Sequence, residues 1–352
     1  MPALGATMSP QTIVGLLSIL GLSAGCTTPA DGQFGRPVDG SQREVSFEFI
    51  RNQIVVQTRI RGRGPYSCLI DSGANPSAVD ITLAQELNLP IGDRGGPAEG
   101  VGTQEVLVYP TDLDVAIEGT LASRIPAVAV DLSSLSKAFD RPIDCVLGQS
   151  WLTSRVVQID YPSHRLRFSA KNVDPPPSSF RCDEFAMRFW LPDDWMPLVM
   201  VQVNGIDIPV SLDTGSSGTL KLFPDGALKA GVAPPSATDR GHVITGARGS
   251  TSVNMVMISS LKFGPLVAEN VQGSVGDRNL GEPEGRLGNL GNGLLRHGVL
   301  TLDFPARRIS VCAPRAAETS PTGCAQQSAP GDAPAPRERP QTSTLGRLKL
   351  PI

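Results

Sequence analysis

The sequence predicts an all-β protein made of two tandem β-barrel lobes related by a pseudo-twofold axis. Three observations lead there. Short β-branched and aliphatic runs, among them Gln53–Ile60, Glu105–Val108, Val156–Ile159, Leu198–Val203 and Val253–Ile258, alternate with Gly, Pro and Asn turns. Of 352 residues, 37 are Gly and 31 are Pro, a content that favours short strands and many turns over long helices. Most telling, one pattern of strand, Gly-containing hairpin, apolar strand and Asp-hydroxyl-Gly occurs twice, ending at Asp71-Ser72-Gly73 and again at Asp213-Thr214-Gly215.

Each copy continues in the same way. Val146-Leu147-Gly148 is followed by Trp151-Leu152, by Val156–Pro162 and by Arg165–Phe168. Asn289-Leu290-Gly291 is followed by Leu294-Leu295, by Val299–Pro305 and by Arg308–Val311. The two Asp residues are 142 positions apart and the two glycines 143, so one structural unit has been used twice with a drift of one residue. The repeat sets the domains. Residues 45–170 form the first lobe, the Pro-rich stretch 171–180 a linker and 181–315 the second lobe. From 316 to 352 the composition turns to Pro, Ala, Ser, Thr and Gln and reads as a disordered tail. Helix patterns are scarce; one candidate is Ala78–Leu89, where Asp80 can cap.

The formal charge of −3 and the absence of any Lys/Arg run give no nucleic-acid surface, so no such partner is expected. The three histidines, His164, His242 and His297, are far apart and at no metal-ligand spacing; no metal site and no Ser-His-Asp site is nominated. Near the N-terminus an apolar run of about 14 residues ends at Cys26, too short for a bilayer span and suited to a signal-peptide core. Leu22-Ser23-Ala24-Gly25-Cys26 resembles a bacterial lipobox, although Ser23 stands where Leu is usual and residues 1–11 carry no Lys or Arg. That resemblance implies a signal peptide over 1–26, lipidation at Cys26, a tether over 27–44 and a periplasm-facing envelope lipoprotein; a plain secreted or periplasmic protein is the alternative. Cys182 and Cys312 bracket the second lobe and either tie its first strand to its last or stand as buried thiols.

The repeated motif carries the chemistry. Apolar strands fix each Asp on a rigid element, Gly at +2 permits a tight turn with backbone N–H groups near the carboxylate, and the hydroxyl at +1 can reach across to the other copy. Two such loops meeting at a twofold axis bring two carboxyls together. Carboxyls that close share one proton, so one member can accept a proton from water while the other donates to a carbonyl. That chemistry needs neither metal nor cofactor.

These residues resemble the aspartic protease family, in its retropepsin-like branch. Asp71-Ser72-Gly73-Ala74 and Asp213-Thr214-Gly215-Ser216 match the family's two active-site motifs. Leu147-Gly148 and Leu290-Gly291 match its apolar-apolar-Gly segment, with Asn289 where an apolar residue is usual. The resemblance covers about residues 45–170 and 181–313. It implies two retropepsin-like lobes, catalytic Asp71 and Asp213 supported by Ser72, Gly73, Thr214, Gly215 and Ser216, and a peptide or protein substrate. It also implies a monomer, since one chain supplies both halves. Flap tips are expected at Gly100-Val101-Gly102 and at Gly246 to Gly249, where Arg248 either contacts substrate or is a solvated tip residue. Cys68 and Cys145 become neighbours below the active-site loop, as packed thiols in preference to a disulfide. Two other readings stand beside an endopeptidase: a non-catalytic peptide-binding or scaffold lipoprotein that keeps the fold, and a glycosidase, which needs no pseudo-twofold relation between its carboxylates.

Overall fold

The computed structural model describes residues 42–93, 96–97, 104–117, 120, 122–191, 194–233, 242–246, 248–277 and 285–315. In the first lobe, strand after strand is antiparallel except at the centre. The sheet runs Glu48–Ile50, Gln53–Ile60, Arg63–Ile70, Cys145–Leu147, Ser77–Asp80, Ser123–Val130, Leu107–Ile117, Gly96–Pro97. Gln53–Ile60 also pairs with Leu107–Ile117, which closes the sheet on itself. The second lobe repeats the order element for element: Arg188–Leu191, Asp194–Val203, Ile206–Leu212, Gly288–Leu290, Leu220–Leu222, Leu266–Val275, Gly249–Phe263, His242–Gly246. Its closing pair is Asp194–Val203 with Gly249–Phe263.

Local chemistry explains the matched hairpins. Arg61-Gly62 and Asn204-Gly205 each join two strands with both residues at positive φ (49° and 74°; 53° and 83°), the two-residue turn whose twist suits a hairpin. The central strands are parallel, with Leu69 opposite Val146 and Ile70 opposite Leu147 in the first lobe, and Ser211 opposite Asn289 and Leu212 opposite Leu290 in the second. Ile70, Leu147, Leu212 and Leu290 are wholly buried, which is why these strands read as apolar runs and not as alternation.

A third sheet joins the lobes. Its order is Arg43–Ser46, Arg165–Ser169, Val156–Asp160, Val299–Asp303, Arg308–Pro314, Phe180–Ala186. The two strands at its centre come from opposite copies of the repeat and pair antiparallel, Val156 with Asp303 and Asp160 with Val299, so the twofold axis passes near Gln158 and Thr301. One hydrophobic cluster runs through both lobes, including Ile54, Ile70, Val157, Leu212, Leu300 and Phe304. A second cluster, with Val55, Leu69, Ile143 and Val146, lies in the first lobe under the helix Ser133–Phe139.

The expected helix is shorter than its periodicity suggested. It spans Ile81–Glu86, with the Asp80 carboxylate accepting from the N–H groups of Thr82 and Leu83. Ala78 to Asp80 belong instead to a strand paired with Ser123–Val130, because tertiary pairing satisfies their backbone before the cap begins. Both cysteine pairs are disulfides. Cys182–Cys312 ties the edge strand Phe180–Ala186 of the shared sheet to its neighbour Arg308–Pro314. Cys68–Cys145 corrects the preference for packed thiols: the two residues face each other in register on parallel strands with Cα atoms 4.5 Å apart, within bonding range.

Candidate active site

Each Asp leaves the end of a buried central strand at the same point. Asp71 N–H donates to Leu147 O (3.1 Å) and Asp213 N–H to Leu290 O (2.9 Å), which anchors both loops to the crossing Leu-Gly segments. Within each loop the glycine two residues on turns its N–H back to the carboxylate: Gly73 to Asp71 Oδ1 at 2.7 Å, Gly215 to Asp213 Oδ1 at 2.8 Å. Both carboxylates are half-buried.

The hydroxyl residues lock the loops to one another. Ser72 Oγ donates to Leu212 O (2.9 Å) and accepts from Thr214 N–H (3.0 Å). Thr214 Oγ1 donates to Ile70 O (3.1 Å) and accepts from Ser72 N–H (2.9 Å). Four bonds thus cross the axis between fully buried groups, where each hydroxyl uses its donor and an acceptor lone pair. The lock sets the two loops side by side, so that the Asp71 carboxyl lies against Gly215 and the Asp213 carboxyl against Gly73. The glycines make this approach possible. A Cβ on Gly215 would overlap the Asp71 carboxyl, and one on Gly73 would lie 2.9 Å from Asp213 Oδ1. Burial, then the charge of Asp213, push the Asp71 carboxyl well above the usual carboxylate range, against the pull of the Gly73 N–H.

Several residues that the motif did not nominate complete the floor. Asn292, buried just after Gly291, donates to Thr214 O (2.7 Å) and Asn52 O (2.8 Å) and accepts from the Tyr161 hydroxyl (2.7 Å). Gln149 holds the matching place after Gly148, its amide 3.4 Å from Ser72 O. Gln53 donates to Gly215 O, and Met196 packs at the corresponding place against Gly73. Asn289, met in the sequence only as a departure from the apolar pattern, donates to Asp213 Oδ2 at 2.6 Å. The readable signal was the repeat itself, which puts an amide directly after Gly in both copies.

The sequence profile of the family described as "Aspartyl protease" matches residues 56–151 and 199–304, more than half of the chain and one stretch in each lobe. The chain belongs to the aspartyl protease family. Among solved structures, the crystal structure of a retropepsin-like aspartic protease from Rickettsia conorii is similar at 20% identity. The match covers 38% of this chain and 93% of that chain, with a TM-score of 0.30. No curated protein matches.

Of the two expected flap tips, the second is described except for residue 247, while Gly100, Val101 and Gly102 lie outside the described residues. His242–Gly246 and Gly249–Phe263 form the hairpin, with Gly246 opposite Gly249. Its tip meets the other lobe. Gln104 N–H donates to Arg248 O (3.0 Å), Arg248 Nε donates to Gln104 O (3.1 Å), and Gly249 at φ +84° packs on the Gln104 side chain. Arg248 Nε thus joins the second-lobe hairpin to the first lobe. A recess of about 520 Å³ lies beside this bridge, lined by Gln104, Ser134, Lys137, Thr245, Gly249 and Ser250. Ser216 sits behind Asp213, its carbonyl accepting from Asn292 N–H (2.8 Å). Cys26 lies outside the described residues. Among them no helix is long and apolar enough to cross a membrane, and no group of three or more His, Cys, Asp or Glu is placed to hold a metal ion.

Proposed function

We propose that the chain is an aspartic endopeptidase in which Asp71 and Asp213 form the catalytic dyad. The observation that carries this reading is the Ser72–Thr214 lock, which holds the two carboxyls side by side across the axis. In that arrangement the pair keeps one proton over a wide pH range, because two carboxyls so close do not readily ionise together. The ionised carboxylate removes a proton from a bound water while its oxygen attacks the peptide carbonyl carbon. The protonated carboxyl gives its proton to the carbonyl oxygen, forming a neutral gem-diol. The carboxyl that took the water proton then gives it to the leaving nitrogen, while a gem-diol hydroxyl returns its proton to the other carboxylate; the C=O re-forms, the C–N bond breaks and the pair again holds one proton. The bridge between Gln104 and Arg248 supports an extended peptide lying under it.

The experiment is digestion of casein and a peptide library from acid to neutral pH, with and without a hydroxyl-bearing transition-state analogue such as pepstatin. Cleavage abolished by the analogue supports the reading. Peptide binding without cleavage at any pH would point instead to a scaffold that keeps the fold. We propose further that Cys26 carries a lipid anchor in the cell envelope, on the strength of its lipobox-like setting. Cys26→Ala should move the chain from the membrane fraction to the soluble one, and an unchanged distribution would count against the anchor.

A further inference from the structure

The repeat makes the two halves of the site comparable position by position, and the comparison exposes one strong departure. In the first lobe the residue two before the crossing glycine is Val146, opposite Leu69, both in the apolar cluster below the helix Ser133–Phe139. In the second lobe the same positions are Asn289 and Ser211. Ile143, three residues before Val146, corresponds to Arg286, which is buried and donates from Nη1 to Ser211 Oγ at 2.8 Å. A polar group has replaced an apolar one on one side of the axis only.

The consequence falls on Asp213. Its Oδ1 accepts from Gly215 N–H and its Oδ2 from Asn289 Nδ2, so both oxygens have N–H donors. The Asp71 carboxylate accepts from Gly73 N–H at 2.7 Å, the Ala74 N–H donates to the Asp71 main-chain carbonyl at 3.3 Å, and Val146, the counterpart of Asn289, has no donor to offer. An amide N–H donates and cannot accept, so it favours the charged form of the carboxylate it touches.

We propose that Asn289 is a positioning residue that makes the dyad unequal, holding Asp213 as the ionised member and leaving the shared proton on Asp71. This rests on the endopeptidase reading for its meaning but not for its test. Asp213 is then the member that takes the proton from water, and Asp71 the one that protonates the carbonyl. The upward push on Asp71 from burial and from the Asp213 charge agrees with that order. Charged and titratable groups on the elements packed around Asn289 and Asp213 include Asp71, Tyr161, Lys221, Arg286 and, at the far end of the paired strand, Asp207. Asp71 faces across the axis. Tyr161 lies below, its phenol pushed up by burial and by the charge of Asp213. Lys221, opposite Asn289 on the neighbouring strand, places its ammonium 5.2 Å from the Phe223 ring centre. Arg286 is held on Ser211. Asn289 Oδ1 is buried with no hydrogen-bond partner among the described residues, so the amide is oriented by its one bond to Asp213.

The test is a carboxyl ¹³C NMR titration of the intact protein labelled at Asp, with Asp71→Asn and Asp213→Asn for assignment. In the parent, Asp213 should lose its proton first and Asp71 second; the reverse order overturns the proposal, and this part needs no further variant. In Asn289→Val, which installs the first-lobe residue, and in Asn289→Leu, the first ionisation constant of the pair should fall about ten- to a hundredfold. The second should stay nearly unchanged, because Asp213 is already ionised in that step. The acid limb of the kcat/KM profile should rise in pH by the same factor while the basic limb stays. A residue that only fills space would change stability and leave the first ionisation in place, which contradicts the proposal, as does a shift to lower pH. If the parent cleaves no peptide, the endopeptidase reading fails while the titration still decides the role of Asn289.

Discussion

At the scale of single residues, the pair Ser72 and Thr214 holds the two half-sites together. Each hydroxyl both donates and accepts across the axis inside a dry contact, so removing one leaves a backbone N–H and a carbonyl of the other lobe unpaired. Thr214→Val and Ser72→Ala should each cost about 1–3 kcal/mol in chemical denaturation. The double variant should cost less than the sum, because the four bonds form one unit. Asp71 gives a pH signature. Its carboxyl is raised in the folded chain, chiefly by burial and then by the charge of Asp213. A raised carboxyl stabilises the fold fully below its unfolded value, and that contribution is lost as the pH climbs towards the folded value. Stability should therefore decline as the pH rises from about 4. Asp71→Asn should remove most of that decline. Its lead in thermal midpoint over the parent should widen towards pH 8 by at least about 2–4 °C, the shift that roughly 1 kcal/mol produces in a chain of this size. The two Asp residues were legible in the sequence because a repeat exposes any residue that must occur twice. Asn289 was legible only as a mismatch, since its role depends on which neighbour its side chain reaches.

At the scale of elements, the strands were read well and their edges less so. Gln53–Ile60 appears as expected, whereas Glu105–Val108 overlaps the strand Leu107–Ile117 only at Leu107 and Val108, and Val253–Ile258 is part of the longer strand Gly249–Phe263. Long hairpins that bend over a cleft bury residues irregularly, which blurs the alternation that marks a strand. The helix Ser133–Phe139 was missed. It is short, its N-cap Leu132 makes no side-chain cap bond, and its apolar face, Leu135, Ala138 and Phe139, is only about one turn long. The hairpin ending at Arg248 invites its own test. Arg248→Ala removes one of two described bonds to Gln104 and leaves the backbone bond Gln104 N–H to Arg248 O. Losing an exposed hydrogen bond of this kind should raise KM about two- to tenfold with little change in kcat, as measured on a fixed peptide substrate. An unchanged KM would remove Arg248 from the account of cleft closure.

At the scale of the whole molecule, the lobes share a six-stranded sheet with two strands of the repeat at its centre, and a hydrophobic cluster that continues through it. The sequence displayed the strands of this sheet, because Asp-aromatic-Pro turns recur at Tyr161 and Phe304. It did not display that Val156–Asp160 would pair with Val299–Asp303, since antiparallel pairing of distant strands leaves no local mark. That shared sheet fixes the separation of the two Asp loops and lets one chain do what two half-sites must do together. In the proposed endopeptidase Asp71 and Asp213 act as one pair, so neither half works alone. The most direct measurement is kcat/KM for peptide cleavage by Asp71→Asn and Asp213→Asn, each checked for native folding by circular dichroism. Both substitutions should lower it by at least about 10²–10⁴-fold, the size of a lost general acid or base. Full activity in either variant, with the fold intact, would contradict the account.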